Sequence, residues 1–328
     1  MFNDYGYNRI VGFEPQWIRK GIKCPTPEHI SKNLKEICSF FSESGQDTVG
    51  LVVPKIKKSK ENKIDYSKMY FTLESIDNNN GFSVYIYPED VSSEEYSFIS
   101  YSLDNGNTWT KLTNQGESQL EVSTGPLSAG QKILFKGVGT TTNGAVWFEQ
   151  DNYDSGFFNV YGNIMSLLYG DDFKDRTSFA EGTIRNLSSL FFINIISAKN
   201  LILPATTLTS QCYSYSFASN HSLQEAPELP ATQLAANCYE GMFSECTSLI
   251  NAPELPATTL VEYCYSVMFS NCTSLSYVKC LATGITAHLC TANWLNNVSE
   301  TGTFIKAAGV EWPTNSHGIP NGWTVEEI

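Results

Sequence analysis

The sequence predicts a multidomain α+β protein in three parts: an N-terminal arm and helix (residues 1–67), an Ig-like β-sandwich (68–162) and a C-terminal β/α leucine-rich-repeat solenoid with caps (163–328). Three observations point there. The stretch APELPATTL at Ala252–Leu260 nearly copies APELPATQL at Ala226–Leu234. Charge divides the chain: residues 1–68 hold 12 Lys/Arg against 8 Asp/Glu, and the remaining 260 hold 9 against 26. Between them, short alternating apolar runs are broken by Gly and Asn, as strands and turns require. A length of 328 residues with 41% apolar content is enough for more than one core.

In the N-terminal part, Phe2, Tyr5, Tyr7, Phe13 and Trp17 alternate with polar residues over a stretch too short to bury them. Such an arm docks into a pocket on another chain or packs on the chain's own sandwich. In TPEHISKNLKEICSFF, Thr26 can cap a helix, Pro27 suits its first position, and Ile30, Leu34, Ile37 and Phe41 share one face. The basic run KIKKSKENK at Lys55–Lys63 reads as a solvated connector.

The middle part offers seven strand-like runs, from MYFTLESI to FFNVYG. Within it, SLDNGNTW (Ser102–Trp109) matches the Asp-box pattern S-x-D-x-G-x-T-W known from sialidases and many non-enzymatic β-proteins. Asp104, Asn105 and Gly106 suit a tight hairpin turn over which Trp109 would fold back. A sialidase would also need clustered arginines, whereas Arg9, Arg19, Arg176 and Arg185 are scattered, so the motif reads as structural.

The repeat has a period of 26 residues. Leu203, Leu229 and Leu255 open successive copies, and adding 26 again lands on Leu281. Cys212, Cys238, Cys264 and Cys290 follow in register, then Phe217, Phe243, Phe269 and Leu295, then Leu223, Leu249 and Leu275. Periods of 20 to 29 with Leu columns belong to leucine-rich repeats, each coil covering its neighbour's apolar edge. In TQLAANCYEGMF, Leu234, Cys238 and Met242 stand four apart, which predicts a helix. GTFIKAAGVEWPTNSHGIPNGWTVEEI, with two Trp and two Pro, predicts an end cap.

The pattern LPATTL…CY..MF..CTSL..APELPATTL resembles the BspA-like leucine-rich repeats of gut-bacterial surface proteins, which also occur in virion proteins of their phages. The resemblance covers about residues 160–328 and implies a β/α solenoid presenting a binding surface; it does not imply an enzyme. A sorting signal of the LPxTG kind would need Gly where Thr259 stands.

Chemistry-bearing residues are sparse. His29, His221, His288 and His317 have no companion nucleophile or metal spacing, so no catalytic residue, metal or cofactor is expected. The cysteines form no C-x-x-C pair; Cys238 with Cys246, and Cys264 with Cys272, either pair or fill a column. Tyr213, Tyr239 and Tyr265 recur in one column, as a strip able to stack on sugars or as packing between helices. Glu228 and Glu254 share another column and suggest a negative strip.

The acidic body argues against nucleic acid, no apolar run is long enough to span a membrane, and MFNDYGYNRIVGFEPQWIRKG lacks secretory-signal features. The chain is expected to be soluble, without its own route across a membrane. Two functional readings follow. One is a virion structural protein, such as a head or tail fibre, docked on other virion proteins by its arm, offering its repeats to a host-surface protein or glycan, and expected to be a homo-oligomer. The other is a bacterial cell-surface adhesin.

Overall fold

The computed structural model describes residues 64–78, 81–88, 99–112, 126–137, 144–150, 156–180 and 187–328. The expected arm and helix, with Phe2, Tyr5, Tyr7, Phe13 and Trp17, lie outside the described residues.

Strands β1 (Phe71–Ser75), β2 (Phe82–Pro88), β3 (Ile99–Ser102), β4 (Thr110–Lys111), β5 (Lys132–Gly137), β6 (Gly144–Gln150) and β7 (Phe158–Asn163) come first. They are followed by helix α1 (Ser166–Tyr169), β8 (Phe191–Phe192), β9 (Ile195–Ile202), β10 (Tyr277–Cys280), β11 (Thr303–Lys306) and β12 (Thr324–Glu327). One sheet has the order β4-β3-β5-β1-β7-β9, a second β2-β6-β8, and a third, β10-β11-β12, is parallel throughout. The first two sheets pack through rings: Phe148 of β6 lies 5.3 Å from Phe71 and 5.0 Å from Phe135, centroid to centroid.

The α+β expectation is overturned: the described chain is predominantly β, and its one α-helix has four residues. Of the seven expected runs, QLEVST lies outside the described residues, GAVWFEQ forms β6 although it was not among them, and β8 and β9, from the segment assigned to the repeats, complete the two sheets. Residues 158–163 of β7 pair in parallel with 195–202 of β9, and Ser197 bridges on to Glu225. One hydrophobic cluster therefore runs without a break from Phe71 to Trp323.

No β/α solenoid forms, because the runs expected to be helical are strings of turns. Cys238, Glu240, Met242 and Ser244 each donate their N–H to the carbonyl three residues back (Ala235, Asn237, Tyr239, Gly241; 3.0–3.2 Å). The alternate N–H groups, of Asn237, Tyr239, Gly241, Phe243 and Glu245, cross to the carbonyls of Glu262, Cys264, Ser266, Met268 and Ser270 in the next repeat (2.8–3.1 Å). Every fourth residue has positive φ: Asn237 (57°), Gly241 (57°) and Glu245 (64°), then Tyr263, Val267 and Asn271, then Leu289, Asn293 and Asn297. An α-helix bonds within itself and cannot spend half its N–H groups on a neighbour. A turn string with a left-handed residue at every fourth place repeats every four residues, so it buries Cys238, Met242 and Cys246 on one side as a helix would.

Direct bonding brings the repeats together at nearly strand spacing rather than the 8–10 Å of packed helices. Identical residues therefore stack on one another. Phe217 lies 5.5 Å from Phe243, and Phe243 lies 5.6 Å from Phe269, with interplanar angles of 22° and 7°. Phe191 joins this column at 4.8 Å and connects it to Phe71 and Phe148 between the sheets.

The fourth copy is also out of the expected register. Leu255 bridges Cys280, not Leu281, and both Leu255 and Cys280 are wholly buried while Leu281 is half-buried. Ala252 donates to Tyr277 O and Leu255 to Lys279 O, so three residue steps after Ala252 face two after Tyr277, and a residue is lost. It is regained between Gly284, which bridges Thr259, and His288, whose carbonyl accepts from Tyr263.

The last residues pack by their tryptophans. Trp312 stacks on Trp294 (5.3 Å, 13°), and Trp323 is buried with Nε1 donating to Ser299 O (2.9 Å).

Candidate binding surface

The candidate strip of Tyr213, Tyr239 and Tyr265 is a column inside the protein. The rings stack at 5.7 Å and 6.1 Å, each residue is at most 2% exposed, and the column continues through Trp294 to Trp312. A sugar cannot reach these faces, and the helices between which they were to pack do not exist. Burial holds all three phenols well above their ordinary pKa. The hydroxyls of Tyr213 and Tyr239 have no hydrogen-bond partner among the described residues.

An unpaired buried hydroxyl forfeits its hydration without recompense. Tyr239→Phe is therefore expected to raise stability by about 1–3 kcal/mol, read as a higher denaturation midpoint in urea. A lowered midpoint would show that the hydroxyl does useful bonding.

Glu228 and Glu254 are both exposed and lie just before the buried Leu229 and Leu255, outside any strand. They are not equivalent. Glu254 accepts from Lys279 Nζ at 2.9 Å, whereas Glu228 makes no ion pair among the described residues.

That pairing is general. Residues 187–328 contain three Lys, no Arg and ten Glu. Lys199 meets Glu225 (3.1 Å), Lys279 meets Glu254, and the nearly buried Lys306 meets Glu327 while also donating to Val310 O (2.7 Å). All three lysines of this part are thus already neutralised, and seven of its ten glutamates make no ion pair among the described residues. A partner for the acidic surface brings cations or no charge at all.

The Asp-box is a turn device. Asp104 Oδ1 accepts from Thr108 N (2.8 Å) and Ser102 Oγ (2.7 Å), and Oδ2 accepts from Thr108 Oγ1 (2.7 Å). These donors, led by the Thr108 N–H, hold the Asp104 carboxyl down at about 2. Trp109 folds back to donate from Nε1 to Gly106 O (3.1 Å). Beside it, Lys136 lies 4.4 Å from the Trp109 ring and pairs with Asp171 at 2.9 Å, while Tyr70 OH donates to the same carboxylate (2.6 Å).

The seven cysteines from Cys212 to Cys290 are free and buried. Burial pushes the thiols of Cys212, Cys272 and Cys280 up to about 12, far from a reactive thiolate. Cys246 and Cys272 donate from Sγ to Phe217 O and Phe243 O (3.2 and 2.9 Å). Asn220 holds that column's first place because its amide can do more: Nδ2 donates to Ile193 O and Oδ1 accepts from Ile195 N, both at 2.8 Å.

Among the described residues no three metal-ligating side chains come together, and no helix is long and apolar enough to cross a membrane. Sequence reasoning missed the lysine pairing and strand β12; TVEEI, with Glu326 and Glu327 adjacent, carries no strand alternation that could have found it. Fold and surface define a β-rich protein whose interior is spent on stacked columns. In comparisons with known proteins, the chain matches no family model, no curated protein and no solved structure.

Proposed function

We propose that this chain is a non-enzymatic structural and adhesive protein, a head or tail fibre component of a phage virion, held to other virion proteins by its N-terminal segment. Its turn stack faces outward. What carries this reading is the repeat-to-repeat register: each alternate N–H from Asn237 to Glu245 bonds the next repeat, which fixes exposed side chains in rigid columns. Such a surface binds a partner with little ordering cost. The repeated LPAT-type pattern, resembling surface-protein repeats, and the basic, aromatic-bearing residues 1–63 support the same reading. Since the tyrosine column is buried, a protein partner suits this surface better than sugar stacking.

The test is peptide mass spectrometry on purified phage particles and on host-cell envelopes. Stoichiometric recovery from particles is expected. Recovery from envelopes alone would replace the virion reading by that of a bacterial surface adhesin.

A further inference from the structure

Among the described residues the parallel sheet has β12 at its edge, with no strand on its outer side. Thr324 N donates to Gly302 O (2.8 Å) and Ile328 N to Lys306 O (3.1 Å), so the even-numbered N–H groups point at β11. Alternation along the strand turns the N–H and C=O of Val325 and Glu327 away from the sheet. No backbone bond reaches them among the described residues. All four residues of β12 are exposed, and Val325 is 43% exposed. Each earlier repeat is roofed by the next, and among the described residues none roofs β12.

We propose that the outer edge of β12 is a strand-addition site for an extended, basic segment of a partner protein. Main-chain bonding to Val325 and Glu327 supplies the attachment, as in other sheet-edge recognition. Charge selects the occupant. Glu326 is exposed and makes no ion pair among the described residues, and the three lysines of residues 187–328 are already committed.

A second copy fits poorly. Two β12 strands meeting antiparallel through Val325 and Glu327 would place Glu326 directly opposite its own copy, with like charges in the closer type of cross-strand pair. Natural sheets guard open edges with charge or proline. Here the guard has one sign, which repels copies of the chain and accepts a strand carrying Lys or Arg opposite Glu326. The proposal goes beyond the virion reading and stands or falls without it, because its test is made on the isolated protein.

The test uses the full chain and two labelled synthetic peptides, one alternating Lys with Val and one alternating Glu with Val, followed by fluorescence anisotropy. Val325→Pro removes an N–H that the β11 ladder does not use, so the strand can keep its place; a thermal melt checks this. Saturable binding of the Lys–Val peptide is expected, about tenfold weaker in Val325→Pro. Glu326→Lys should shift the preference to the Glu–Val peptide, and it tests the idea even if the proline variant fails to fold. Undiminished binding by a folded Val325→Pro would mean attraction by charge alone and would overturn the proposal. So would the absence of saturable binding, an unchanged peptide preference in Glu326→Lys, or a concentration-dependent dimer that Val325→Pro abolishes, since a second copy would then hold the edge.

Discussion

Phe243→Ala is expected to destabilise the protein by about 3–5 kcal/mol, the range for emptying a buried Phe site. Phe243 is wholly buried and lies face to face with Phe217 on one side and Phe269 on the other. Its loss therefore opens a cavity and breaks two ring contacts, each worth about 0.5–1.5 kcal/mol beyond area burial. The column cannot collapse to close the gap, because Phe243 N donates to Met268 O (2.9 Å) and Phe217 N to Met242 O (2.9 Å), which fixes the repeat spacing. At about 2–4 °C per kcal/mol for a unit of this size, the melting temperature should fall by roughly 10 °C.

The same variant tests how far cooperativity extends. The phenylalanine column joins Phe191, which packs on Phe71 and Phe148 between the first two sheets. Loss at Phe243 should thus be felt at Trp109, beside the β3–β4 turn, as well as at Trp294 and Trp312 near the cap. Far-UV ellipticity and tryptophan fluorescence are expected to report one coincident transition. A variant that loses less than about 1 kcal/mol, or whose cap melts while the sheets persist, would contradict a continuous core.

The 26-residue period was legible because identical residues recur at every copy, and the structure uses them as identical neighbours in columns. What the period leaves open is the conformation between columns. Leu234, Cys238 and Met242 four apart satisfy a helix and a turn string alike. The distinguishing letters are those at left-handed positions: Asn237, Gly241, Asn271, Asn293 and Asn297 are residue types that tolerate positive φ. Tyr263, Val267 and Leu289 occupy equivalent places and conceal the pattern, since a β-branched or bulky residue rarely adopts positive φ. The shift from Leu281 to Cys280 was hidden for a different reason. A deletion and a compensating insertion inside one copy leave Cys264 and Cys290 26 apart, so column counting passes over both.

The tyrosines illustrate a further limit. Recurrence at one column shows that a residue faces a constant environment, and it does not say whether that environment is water or core. Tyr213, Tyr239 and Tyr265 each follow a buried cysteine, and the alternation of turn bonds places both residues inward. The open edge at β12 was out of reach for the opposite reason, since an edge is defined by what fails to pair with it, and pairing is non-local.

Gly162→Ala is expected to cost about 3–5 kcal/mol, through two effects that add. Gly162 has φ of +85°, where an L-residue loses about 1–2 kcal/mol through its Cβ. A Cβ there would also lie 2.1 Å from Tyr70 O and 3.2 Å from Met69 O, both backbone atoms that no rotamer change can clear. Moving them is costly, because Asn163 N donates to Met69 O (2.8 Å) and Asn163 Nδ2 to Ser67 O (3.0 Å), tying the start of β1 to β7. β7 in turn carries β9, the strand that passes the sheet on to the repeats. Gly130→Ala separates the two effects: Gly130 has φ of +77° and, among the described residues, nothing within 4 Å of an added Cβ, so it should show the conformational cost alone, about 1–2 kcal/mol. Urea midpoints of the two variants give the steric part by difference. Equal losses would mean that the chain at Tyr70 yields freely, and that the seam between the sheets and the turn stack is softer than its hydrogen bonds imply.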